Sequence, residues 1–128
     1  MRILRRVLGL AFIAVGILHF VRPGFFISIM PSWLPLHEEA VAVSGAAEIA
    51  GGVALLPDST AKPAGIWLTA LLIAVFPANL NMTFDQEQIN QAAKNGIPEW
   101  ALWARLPLQP LLIWLVLRST GVTGRAGR

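Results

Sequence analysis

The sequence predicts an all-α membrane protein: a bundle of four transmembrane helices with a short interfacial or re-entrant helix between helices 1 and 2. Three observations predict it. The 128 residues are 55% hydrophobic and 13% charged, with mean hydropathy +0.63, far more apolar than a soluble domain of this length needs. Four apolar runs, 3–21, 39–57, 63–82 and 100–118, each approach the ~20 residues that cross a ~30 Å hydrocarbon layer. The second run carries one carboxylate, Glu48, near its middle, with no charge from Ala40 to Ala47 or from Ile49 to Pro57. A charge at that depth costs at least ~2.5 kcal/mol, and intramembrane carboxylates generally face a bundle interior. The chain is therefore expected to form a single integral membrane domain, 1–128, with outer segments 22–38 and 83–99.

The first run follows Arg2, Arg5 and Arg6, the arrangement of a signal peptide, but Val21-Arg22-Pro23-Gly24-Phe25 offers no small-x-small cleavage site. It is expected to stay as the first crossing, with Gly9, Gly16 and His19 near one face. Residues 22–37 are too apolar for an ordinary loop and are punctuated by Pro23, Pro31 and Pro35. Proline starts helices well and stops them when met later, so 23–30 is expected to be a short helix lying at the interface or re-entering it. Phe26, Met30 and Trp33 would form a lid.

In the second crossing Ser44, Gly45, Gly51 and Gly52 share the Glu48 face, and small residues let a neighbouring backbone come close. Asp58-Ser59-Thr60-Ala61-Lys62-Pro63 is a polar turn. The third crossing has no charge between Lys62 and Asp85, and Pro77 predicts a kink near Asn79 and Asn81. Those two side chains are about 200° apart on a regular helix, so only one would face inward. Thr83-Phe84-Asp85-Gln86 has the form of a capping box, and Asn95-Gly96 before Pro98 that of a helix stop, which together predict a short polar helix. The fourth crossing opens with Trp100 and Trp103 at interface depth. Arg105 and Gln109, four residues apart, share one of its faces.

The formal charge of +3 follows from topology, and no nucleic-acid partner is expected. Arg2, Arg5, Arg6, Lys62, Arg118, Arg125 and Arg128 fall on the side of the termini, against Arg22 and Lys94 opposite, so both termini belong in the cytoplasm. The absence of cysteine excludes thiol–disulfide chemistry and thiolate metal ligation by this chain. His19, His37 and the acids lack helical ligand spacing, so no metal site is expected. With no phosphate loop and no nucleophile elbow, the sequence leaves open whether the chain is an enzyme.

Depth along the helices gathers His19, Glu48, Asn79, Arg105 and Gln109 into the outer half of the bundle. The functional reading is a ligand-binding polar pocket with Glu48 and Arg105 as a charge pair, His19 and Asn79 as hydrogen-bonding walls and the lid above. The structural reading is that the pair sets helix register, His19 makes an ordinary hydrogen bond, Asn79 satisfies the proline kink and Gln109 joins two helices.

These residues carry a resemblance. Gly16-Ile17-Leu18-His19-Phe20, Met30-Pro31-Ser32-Trp33-Leu34-Pro35, the run from Ser44 to Gly52, Phe76-Pro77-Ala78-Asn79 and Arg105-Leu106-Pro107-Leu108-Gln109 resemble the DoxX-like family of small four-helix bacterial membrane proteins, over about Val7 to Leu117. The resemblance implies a multi-pass protein of the bacterial inner membrane. Members of that family are associated with quinol-linked oxidase and thiosulfate oxidation systems, and distant relatives act as assembly factors. The expected function is binding of a quinone-like or other small amphiphile, or service as an accessory subunit of a membrane redox complex. The alternatives are an assembly factor or scaffold for a client membrane protein, or a proton-coupled small transporter working as a homo-oligomer.

Overall fold

The computed structural model describes residues 2–28, 30, 35–94 and 96–122, excluding the side chains of Phe25, Ser28, Ala78, Asn79 and Met82. The described residues are helical throughout: α1 Arg2–Val21, α2 Pro23–Ser28, α3 His37–Leu55, a 3-10 turn Asp58–Thr60, α4 Ala61–Phe84, α5 Gln86–Lys94 and α6 Glu99–Thr120. Three stretches are long and apolar enough to cross a membrane: Arg2–Val21, Asp58–Pro77 and Glu99–Thr120. In contrast, α3 has 19 residues, rich in alanine and glycine, and carries Glu38, Glu39 and Glu48. Its composition suits close helix packing more than exposure to lipid.

Glycine sets how α1 meets α3. Gly9 opposes Gly52 and Gly16 opposes Gly45, so the helices run antiparallel; a Cβ on Gly9 would stand 2.7 Å from the Gly52 carbonyl oxygen, and one on Gly16 would stand 2.8 Å from that of Gly45. The seven-residue spacing on both helices keeps the small residues on one seam, as in shallow left-handed crossings. On its other side α3 meets α4, where a Cβ at Gly51 would collide with Leu68 Cδ2, and α4 meets α6, where one at Gly65 would collide with Thr120 Oγ1. Leu8, Phe12, Leu55, Ala64, Leu68, Leu72 and Val116 form the core among these four helices.

Polar connections define the two ends. At the end shared by the start of α1 and the close of α6, Thr60 Oγ1 donates to the Ala54 carbonyl at 2.6 Å, closing the turn between α3 and α4. At the opposite end α5 rests on a small core of Ala92 and Leu102 with Ile89 and Ile97. Asp85, rather than Thr83, caps α5: its Oδ1 accepts the Glu87 N–H at 2.9 Å. Thr83 is buried and its hydroxyl donates to the Leu102 carbonyl at 3.4 Å, a tertiary bond that local spacing does not announce. The expected stop at Gly96 is a left-handed residue with φ 83°. Gly96 N–H donates to Ala93 and Ile97 N–H to Ala92, so two of the last carbonyls of α5 are satisfied. Despite Pro77, α4 is a single helix to Phe84.

Candidate functional site

The buried seam of α1 runs Arg5, Gly9, Phe12, Gly16, His19, at alternating steps of three and four, so His19 comes one turn after the last glycine. Gly45 makes room for it: a Cβ there would lie 2.6 Å from His19 Cβ. Glu48 lies three residues beyond Gly45, on the same face of α3. Its Oε2 therefore reaches to 3.4 Å from His19 Nδ1. Nδ1 also stands 2.8 Å from the Val15 carbonyl oxygen, which can only accept, so Nδ1 carries a proton.

On another side the imidazole stacks against Phe26 of α2, with ring centroids 3.8 Å apart and planes 17° from parallel. Arg105 of α6 acts on Glu48 through its charge. Three elements thus bring His19, Phe26 and Glu48 together, with Arg105 near enough for its charge to be felt at Glu48. Glu48 Oε2 is buried and accepts no hydrogen bond among the described residues. A buried carboxyl oxygen left without a hydrogen bond is costly, and a bound molecule would supply one.

Gln109, one turn beyond Arg105, is buried, and its Nε2 donates to the Leu72 carbonyl at 2.8 Å. That bond joins α6 to α4 five residues before Pro77, which has no N–H and leaves the next carbonyl, Ile73, without its helical donor. Gln109→Leu is expected to cost about 1 kcal/mol in thermal unfolding in detergent, with retention of any small molecule at Glu48 unchanged. The lid residue Met30 is half-buried just after α2. Trp33 and the Asn79 side chain lie outside the described residues. The other asparagine near Pro77, Asn81, donates from Nδ2 to Gln88 Oε1 at 2.9 Å, joining α4 to α5.

A polar centre that sequence reasoning missed lies at the far end of the same seam. Arg5, whose place before an apolar run is that of a topology signal, is buried. Its Nε donates to the Leu55 carbonyl at 2.8 Å, and its Nη2 to the Leu56 carbonyl at 3.4 Å and to Asp58. Arg6 Nε donates to Leu56 at 3.3 Å, and Arg2 pairs with Asp58 at 3.1 Å. Arg5 and Arg6 thus satisfy the Leu55 and Leu56 carbonyls at the close of α3. The available signal was spacing: Arg5 lies four residues before Gly9, on the seam.

The family model described as "Domain of unknown function (DUF8561)" matches residues 8–120. The chain belongs to this family. Neither the curated proteins nor the solved structures contain a match. The matched range takes in His19, Phe26, Glu48, Arg105 and Gln109, whereas Arg5 precedes it. Among the described residues no group of three or more His, Asp or Glu side chains could hold a metal ion. Chemically, the site offers a buried carboxylate acceptor, a neighbouring guanidinium, an imidazole and an aromatic face, a set suited to the polar end of a partly aromatic or apolar molecule.

Proposed function

We propose that this protein is a multi-pass protein of the bacterial inner membrane whose site holds the polar head of a small amphiphile, quinone-like in shape, as an accessory subunit of a membrane redox system. The reading rests on one observation above all: the buried Glu48 Oε2 with no hydrogen bond among the described residues, beside His19 and under the charge of Arg105. A ligand hydroxyl would donate to Glu48, a ligand carbonyl would accept from Arg105, and α2 would cover the apolar part from the His19 side.

In this arrangement α1, α3, α4 and α6 are the four crossings and α2 lies at the interface. The acidic α3 crosses because α1 and α4 flank it, and the termini face the cytoplasm with Arg2, Arg5, Arg6, Lys62 and Arg118. Exposed Ile17, Ile66, Ile73, Leu111 and Trp114 support apolar surroundings for the outer faces of α1, α4 and α6. Kinship with DoxX-like proteins is part of the same proposal and rests on the sequence motifs.

The test is mass spectrometry of small molecules extracted from the protein purified in mild detergent. Wild type is expected to retain an amphiphile that Glu48→Gln and Arg105→Gln lose by tenfold or more, the factor for a bond to a charged group worth ~1.5–3 kcal/mol, while melting stays similar. Equal retention by all three proteins, or nothing enriched in wild type, would reduce the cluster to a device that sets helix register.

A further inference from the structure

We infer that the start of α1 is a binding site for the phosphate of an anionic phospholipid. Three guanidinium groups, those of Arg2, Arg5 and Arg6, gather at the close of α3, where among the described residues Asp58 is the one carboxylate paired with them. Three positive charges against one negative leave an excess of two. Arg5 is committed to the interior through Leu55 and Leu56. Arg2 and Arg6 are exposed and one turn apart on α1, so their side chains stand together at the surface. Arg6 uses Nε on the Leu56 carbonyl, which fixes the direction of its fork. Lys62, one turn after Asp58, is exposed beside the same turn.

What selects a lipid over a soluble phosphate is the surface next to the cations. Ile3, Val7 and Leu10 are 81%, 56% and 60% exposed and lie at i, i+4 and i+7, a continuous apolar stripe. Arg6 is three residues from Ile3 and four from Leu10, so it borders that stripe. A phosphodiester held by Arg2 and Arg6 would send its acyl chains along α1. The guanidinium fork matches phosphate oxygens, and an anionic headgroup gains about fivefold in binding for each arginine at the surface, roughly 25-fold for the pair.

This inference rests on the membrane reading above, and the experiment separates the two. The full chain is reconstituted into vesicles and washed with alkaline carbonate, then taken into neutral detergent. Native mass spectrometry follows with phosphatidylglycerol, with phosphatidylcholine of the same chain length, or with inorganic phosphate. Wild type is expected to stay with the vesicles and to prefer phosphatidylglycerol. The Arg2→Gln/Arg6→Gln variant is expected to lose that preference by roughly 25-fold, and Arg2→Lys/Arg6→Lys to keep most of it. A wild type released by carbonate overturns both readings. A wild type that stays with the vesicles but shows no preference, or a glutamine variant with the preference intact, overturns the lipid site alone, as does equal binding of inorganic phosphate.

Discussion

Gly45→Leu is expected to abolish the folded bundle. The new Cβ would stand 2.6 Å from His19 Cβ and 3.0 Å from the Gly16 carbonyl oxygen, and both helices would have to part to admit the rest of the side chain. Overpacking a tight core typically costs about 1–3 kcal/mol, and this site lies at or beyond the top of that range because backbone cannot turn aside as a side chain can. Separation at Gly45 would also pull His19 from Glu48, so ligand retention should vanish with the fold. Melting in detergent checks it, with Gly24→Ala as the control. A Cβ on Gly24 meets nothing within 4 Å, and alanine in helix α2 should be neutral or stabilise by about 0.5 kcal/mol. Gly51→Ala falls between the two, since the atoms in its way belong to the Leu68 and Trp67 side chains. If Gly45→Leu melts like wild type, the seam does not hold α1 to α3.

The second large effect is expected at Arg5. Arg5→Met keeps length and apolar bulk but removes the donors to Leu55, Leu56 and Asp58; Leu56 keeps Arg6 Nε, whereas the buried Leu55 carbonyl loses its side-chain donor. A lost bond from a charged donor costs ~1.5–3 kcal/mol, so a destabilisation of about 2 kcal/mol or more is expected in the same melting experiment. Arg5→Lys should recover only part, because an ammonium cannot span carbonyls and carboxylate with one planar fork. Asp58→Asn should do less than Arg5→Met, since Asp58 is 56% exposed and the Leu55 bond survives. Equal stability of Arg5→Met and wild type would show that water satisfies the Leu55 carbonyl.

The two centres differ in how far the chain announces them. Glu48 is conspicuous because a carboxylate among small and apolar residues has a large desolvation cost, and Arg105 stands out for the same reason. Arg5 carries no such mark, because an arginine before an apolar run also serves topology. Its burial depends on α3 ending opposite it, a matter of register between two helices. Thr83 is similar: its local spacing suits a cap, yet the carbonyl of Leu102, 19 residues away, takes its hydroxyl.

What the sequence by itself determined is the helical class, the long apolar helices α1, α4 and α6 and the charge-bearing positions inside apolar runs. Composition and period are local properties that every residue reports independently. Only the tertiary structure decided that Gly9 and Gly16 face Gly52 and Gly45, that His19 stacks on Phe26 beside Glu48, that Gln109 is bonded to Leu72, and that Arg5 closes the end of α3. Each depends on the relative register of two helices. Spacing along one helix says which residues share a face, but not which face of a second helix they meet or at what height.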